Sequence, residues 1–125
     1  MNLVDTSGWL EYFFEGPNAS YFSEPIEDTS RLVVPVVCLY EVFKKIIQVS
    51  DKAKALQAVA QMKQGHVIKV DEEIALSAAL VSLQNKLAMA DSFIYAAAQL
   101  EGAIIWTQDI DFKGLPGVNY KEACK

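Results

Sequence analysis

Arginine, histidine and cysteine are all scarce in this 125-residue chain, which has one Arg (Arg31), one His (His66) and two Cys (Cys38 and Cys124). Two thiols, one in an apolar run and one near the C-terminus, make no disulfide framework and suit a reducing compartment. There is no C-x-x-C pair, which removes zinc ribbons and thioredoxin-like redox chemistry. Neither G-x-x-x-x-G-K-[ST] nor G-x-G-x-x-G occurs, so neither a P-loop nor a dinucleotide fold is indicated. No Ser–His or Cys–His pair is available for nucleophilic catalysis, and His66 lies at the start of a strand, far in sequence from the acids discussed below. Every apolar stretch meets a charge, a Pro or a polar break well short of the roughly 20 residues that span a bilayer. Met1 to Asp5 has no basic region of the kind that opens a signal peptide, so the expectation is a cytoplasmic protein with no membrane contact.

What is present is a globular composition: 52% of residues are apolar or aromatic and 22% are charged. Such a chain can offset its ordering entropy by burial, and its length suits one domain, residues 1–125. Sixteen acids against eleven bases give a net charge of -5, and the bases are Lys apart from Arg31. That balance excludes a general nucleic-acid coat while leaving room for a local site.

The order of elements is legible from periodicity and punctuation. Asn2–Asp5 reads as a short buried strand, followed by Thr6-Ser7-Gly8 and a helix carrying Trp9, Leu10, Tyr12, Phe13 and Phe14. Gly16-Pro17-Asn18 breaks it; Ala19–Ile26 predicts a second short helix, and Leu32–Val34 a second strand closed by Pro35. Pro35 can open a third helix, Val36–Val49, with an apolar stripe of Val36, Leu39, Tyr40, Phe43 and Ile47. Asp51 caps a fourth, Lys52–Gln64, stopped by Gly65. His66–Val70 is a third strand. Asp71 caps a helix running to Lys86 with Glu72 and Glu73 in its first turn, and Ala90-Asp91-Ser92 opens another that ends at Gly102. Ala103–Trp106 is a strand, Thr107–Gly117 a loop, and Val118–Tyr120 a last edge strand. Strands alternating with helices indicate an α/β domain with a parallel sheet covered on both faces, in which functional groups gather beyond the carboxyl ends of the strands.

Several acids fall at that edge. Asp5 ends the first strand, Asp91 opens a helix, Asp109 and Asp111 follow the fourth strand, and Glu41 is the one acid inside the apolar third helix. Each has an everyday explanation: Asp5 and Asp91 as helix caps, Glu41 paired with Lys44 or Lys45, Asp109 and Asp111 as turn residues. Taken together they are carboxylates that a parallel sheet would crowd, and crowded carboxylates stay ionised only beside a cation. An all-oxygen donor set favours Mg²⁺ or Mn²⁺ over zinc. Metal-assisted phosphodiester hydrolysis is the chemistry such a set suits.

Four segments carry a family resemblance: Val4-Asp5-Thr6-Ser7-Gly8-Trp9-Leu10, Leu39-Tyr40-Glu41-Val42, Ala90-Asp91-Ser92-Phe93-Ile94-Tyr95-Ala96-Ala97-Ala98 and Thr107-Gln108-Asp109-Ile110-Asp111-Phe112. In this order they resemble the PIN-domain family, and most closely its small members, the VapC toxins of prokaryotic toxin–antitoxin pairs. The resemblance implies a three-layer α/β/α PIN-like domain with a short, mainly parallel sheet of four to five strands. It also implies a Mg²⁺- or Mn²⁺-dependent endoribonuclease. Residue by residue, Asp5, Glu41, Asp91 and Asp109 match the metal-binding catalytic acids, with Asp111 an outer or second-metal participant. Ser7 and Thr107 match the small polar residues beside them. Many such toxins carry Arg where this chain has Gln108, so Lys44, Lys45, Lys86 and Lys113 are the candidates for phosphate contacts.

The partners implied are RNA, a second copy of the chain in a homodimer, and a VapB-like antitoxin whose C-terminal segment presents a basic side chain to the acids. Independently, Trp9, Tyr12, Phe13, Phe14, Tyr21 and Phe22 crowd the first quarter of the chain, more than one core face needs, so an interface is expected there. The competing reading is a non-catalytic interaction module on the same fold. A receiver-like signalling domain is weaker, because the internal strand followed by an Asp is His66–Val70 with Asp71. The five acids named equal the net charge in size, leaving eleven acids against eleven bases elsewhere.

Overall fold

A computed structural model describes residues 1–124. Its elements in chain order are β1 (Asn2–Val4), α1 (Thr6–Phe13), α2 (Ala19–Glu27), β2 (Leu32–Pro35), α3 (Val36–Val49), α4 (Lys52–Met62), β3 (His66–Ile68), α5 (Glu72–Asn85), α6 (Met89–Glu101), β4 (Ile104–Thr107) and β5 (Val118–Tyr120). Short 3₁₀ turns cover Thr29–Arg31 and Ile110–Phe112.

The five strands form one sheet in the order β3-β2-β1-β4-β5, and every neighbouring pair is parallel. β1 is central, with Leu3 registered against Val33 on one side and Ile105 on the other. The connections run one way from β1 through β2 to β3 and return the other way to β4, and the right-handed rule for parallel crossovers then puts the helices on both faces of the sheet. Burial on both faces explains the uninterrupted apolar strands: Leu3, Val4, Val33, Val34 and Ile105 are fully buried. The order also separates this fold from a receiver domain, whose sheet runs 2-1-3-4-5. Among the described residues no helix is long and apolar enough to cross a membrane.

Local chemistry sets the element ends. Asp5, Asp51 and Asp71 each cap a helix through a side-chain oxygen, accepting from the N–H of Gly8, Lys54 and Ile74. Gly102 closes α6 in the left-handed region at φ 61°. Gly8 is required by space, since a Cβ there would meet Val4 at 2.6 Å and Phe22 at 2.7 Å.

Five expectations shift. α4 ends at Met62 rather than Gln64, and Gly65 is not its cap but a close approach to β2, where a Cβ would lie 3.0 Å from Val34. β3 ends at Ile68, and α6 begins at Met89, so Asp91 lies within its first turn and is not the cap. Pro35 is the last residue of β2. The buried stripe of α3 is Cys38, Val42 and Ile46, while Tyr40 and Ile47 face outward. Residues 36–43 are apolar on nearly every side, so periodicity alone leaves the phase open, and the polar run Glu41, Lys44, Lys45 and Gln48 takes the solvent side.

The aromatic cluster is mostly core. Trp9 and Phe22 are fully buried, Trp9 stacks on Phe13 with centroids 5.6 Å apart, and Tyr21 packs on Trp106 at 5.1 Å. Phe14 is the one of the six left exposed; with Phe13, Ile46 and Val49 it lines a hollow of about 650 Å³ between α1, α3 and α4. The larger apolar exposure is on α5, where Leu76, Leu80 and Leu83 form an outward stripe at i, i+4 and i+7.

Candidate metal centre

Because β1 and β4 are neighbours, their carboxyl ends bring Asp5 and Thr107 side by side. Asp5 is 2% exposed and both its oxygens are engaged. Oδ1 accepts from the Ser7 hydroxyl at 2.8 Å and the Gly8 N–H at 2.9 Å; Oδ2 accepts from the Thr107 hydroxyl at 2.6 Å. Thr107 Oγ1 in turn accepts from the Asp109 N–H at 2.9 Å, and Ser7 Oγ accepts from the Gln108 N–H at 3.2 Å. Two hydroxyls thus tie the loop after β4 to the acid at the end of β1.

Burial pushes the Asp5 carboxyl up to about 6, against the lowering effect of hydrogen bonds from Thr107, Gly8 and Ser7, with Asp109 adding a like charge. Asp91 is pushed up to about 7, first by burial and then by Asp109, Asp5, Glu41 and Asp111 in that order. All five acids singled out in the sequence therefore bear on one position. Asp91, Asp109 and Asp111 can each bring one carboxylate oxygen within 4.8 Å of the others. Asp109 Oδ1 also accepts from the Asp111 N–H at 2.9 Å, which fixes the two relative to each other.

Glu41 does not pair with Lys44 or Lys45. It accepts from the Thr6 hydroxyl at 2.5 Å, which holds α3 to α1 beside the acids. Thr6 was not singled out in the sequence, and its position directly after Asp5 was the one available signal. A second group came from nowhere in the sequence pattern. Glu11 accepts from the Asn18 N–H at 2.7 Å and from Gln108 Nε2 at 3.3 Å, while Asn18 Nδ2 donates to Gln108 Oε1 at 3.0 Å. This network braces the residue next to Asp109, using a side chain, Asn18, that is 4% exposed.

The remaining polar candidates are scattered. Arg31 is paired with Asp28 at 2.8 Å, the ion pair among the described residues. Lys44 lies 5.6 Å over the Tyr40 ring and Lys113 5.6 Å over Tyr120, while Lys86 ends α5 in the left-handed region. Cys38 is buried, and burial pushes its thiol well up, so it is held neutral. His66 opens β3, an edge strand away from β4.

The donor set fits a hard divalent cation: it is all oxygen, it converges, and its like charges destabilise the ionised form in a way that a cation relieves. Zinc would call for His or Cys donors, and the three groups that converge are all Asp.

Residues 3–118 match the PIN domain family. No curated protein matches the chain in sequence. In fold the chain is similar to a chain of a toxin–antitoxin complex from Klebsiella pneumoniae (TM-score 0.80, 22% identity, covering 98% of this chain and 100% of that one). It is similar also to VapC20 of Mycobacterium tuberculosis, described as a sarcin–ricin loop cleaving toxin (TM-score 0.79, 15% identity, 94% and 97% covered). A chain of DNA-bound VapBC from Salmonella typhimurium has a TM-score of 0.74 at 16% identity, with 99% and 100% covered. At these identities the likeness is one of fold.

Proposed function

The chain belongs to the PIN-domain family, and from that premise we propose that it is a Mg²⁺- or Mn²⁺-dependent endoribonuclease acting as the toxin of a VapBC-like pair. One observation supports the reading: Asp91, Asp109 and Asp111 can bring carboxylate oxygens within 4.8 Å of one another, and burial, followed by the like charges of Asp109, Asp5, Glu41 and Asp111, raises Asp91 to about 7.

In this proposal Asp5, Glu41, Asp91 and Asp109 hold the ion, and Asp111 joins them. Asp109 is the fourth ligand and Asp111 an outer or second-metal participant; the Asp111 N–H donates to Asp109 Oδ1 at 2.9 Å and so orients the Asp109 carboxylate. When bound, a divalent ion supplies charge to offset the scissile phosphate and lowers the pKa of an attacking water. The chain's own residues do the positioning. Ser7 and Thr107 fix both oxygens of Asp5, and Thr6 turns Glu41 toward the site. Outer hydrogen bonds of this kind are worth 10- to 100-fold in metal affinity or activity.

RNA is the proposed substrate, a VapB-like protein the inhibitor, a second copy the constitutive partner and the cytoplasm the setting. The solved relatives that come from toxin–antitoxin complexes support that setting. The leucine stripe of α5 and the hollow beside Phe14 provide the apolar surface that two protein partners need. The test is cleavage of total cellular RNA with Mn²⁺ and with EDTA. Metal-dependent cleavage that Asp91→Asn abolishes is expected, and equal cleavage by a folded Asp91→Asn protein overturns the proposal. The non-catalytic module instead predicts no cleavage and no Mn²⁺-dependent stabilisation.

A further inference from the structure

A groove of about 240 Å³ runs between α1 and α3 and ends at Glu41. One wall carries Thr6, whose hydroxyl holds Glu41; the other carries Tyr40, Lys44, Lys45 and Gln48. Tyr40 is 63% exposed although it lies in an apolar segment. Its ring is not left to water alone, because the Lys44 ammonium sits 5.6 Å from the ring centre. Among the described residues neither Lys44 nor Lys45 makes an ion pair, so both charges are free. Tyr40, Lys44 and Gln48 recur at helical i, i+4 and i+8, and Glu41 with Lys45 forms the parallel row, so aromatic, cations and acid share one side of α3.

We propose that this groove is the subsite for the single-stranded RNA flanking the cleaved bond, with a base stacked on Tyr40 and its phosphates on Lys44 and Lys45. The inference rests on the nuclease reading above and adds to it the path of the strand. An exposed aromatic ring is sequence-tolerant for stacking, because every base has a π face, and a cation beside it strengthens the contact. Lys45 lies one helical turn, about 6 Å along the axis, from Glu41. A strand with its scissile phosphate at the acids therefore passes its next phosphates over the two lysines. Those charges also set the sign of the occupant: they attract a polyanion and repel a basic peptide. The acidic remainder of the molecule makes this a local attraction rather than a general one.

The test is fluorescence anisotropy of a labelled random-sequence 12-nucleotide RNA with Ca²⁺ in place of Mn²⁺, so that the strand is bound without being cut, read over a series of KCl concentrations. Tyr40→Ala is expected to weaken binding about fivefold or more, and Tyr40→Phe, which keeps the ring, to restore it to within about twofold. Lys44→Ala with Lys45→Ala should lower the slope of log K against log salt by about 1.4. All three positions are exposed on one helix, so thermal midpoints should match the parent. RNA bound by the parent and by every variant with equal affinity and slope overturns the subsite and leaves the nuclease reading standing. No RNA bound by the parent overturns both. A Lys-rich peptide that loses affinity with Tyr40→Ala while RNA does not assigns the groove to a protein and overturns the proposal.

Discussion

Asp5, Asp51 and Asp71 are the same local device. Each ends a non-helical segment, each caps a helix, and each accepts from the third N–H beyond it, at 2.9, 2.8 and 3.0 Å. Asp51 and Asp71 stop there, on exposed surface, and α4 and α5 gain a normal start. Asp5 is buried, accepts two further hydroxyl hydrogen bonds and faces Asp109, so its carboxyl rises to about 6. The three caps differ in surroundings and not in motif. A cap at the carboxyl end of a central strand, between crossover helices, meets other acids; a cap on the rim meets water.

That contrast can be broken by substitution, and the largest effect is on chemistry. Asp5→Asn and Asp91→Asn should each lower kcat/KM for RNA cleavage by at least about 100-fold, while Asp51→Ala and Asp71→Ala leave it unchanged. A rim cap that costs as much activity as Asp5 would erase the distinction.

Next in size is pH. In metal-free buffer Asp5 and Asp91 bind protons more tightly folded than unfolded, since their folded values of about 6 and about 7 exceed 3.8. Their contribution is fully present below about pH 4 and is lost as pH rises through 6 to 7. For Asp5 this amounts to up to about 3 kcal/mol, at about 1.4 kcal/mol per pKa unit, and partial exposure makes Asp91 contribute less than its shift suggests. Urea midpoints in EDTA should therefore fall from pH 5 to pH 8, and Asp5→Asn or Asp91→Asn should flatten the fall. An unchanged slope in both variants would show that the acids are not crowded.

Mn²⁺ should reverse that loss at pH 8. At 100 times its dissociation constant it adds about 2.7 kcal/mol, read as a rise in melting temperature that Asp91→Asn abolishes and Asp51→Ala does not. Smallest are the caps themselves: Asp51→Ala and Asp71→Ala should each cost about 1 kcal/mol. Asp91→Asn, which caps nothing and removes a like charge, should leave the metal-free protein at pH 8 as stable as the parent or more so.

Much of this was readable in order along the chain. The strand–helix alternation, the caps at Asp51 and Asp71, and the acids placed at strand ends follow from short-range rules about turns, caps and periodicity. The phase of α3 did not, because apolar residues on nearly every side of 36–43 leave its orientation to whatever it packs against, and Tyr40 ends up outside. The start of α6 at Met89 did not either. Ala88 makes no side-chain cap, so Asp91 sits inside the first turn, where the helix dipole suits it and its oxygens are left for the site. The pairing of Glu41 with Thr6 rather than with a neighbouring Lys spans 35 residues, beyond any helical spacing.

By itself the sequence determined which residues could do the chemistry: acids in a chain almost without His, Arg or Cys, set where a parallel sheet would end its strands. Only the tertiary structure decided which of them lie side by side. The order β2-β1-β4 puts Asp5 against Thr107, separated by 102 positions in the chain, and the return crossover through α5 and α6 delivers Asp91 to Asp109 and Asp111. Propensity and capping act over a few residues, whereas charge repulsion and burial depend on distance in space. The raised carboxyls therefore exist only once the sheet has closed around β1.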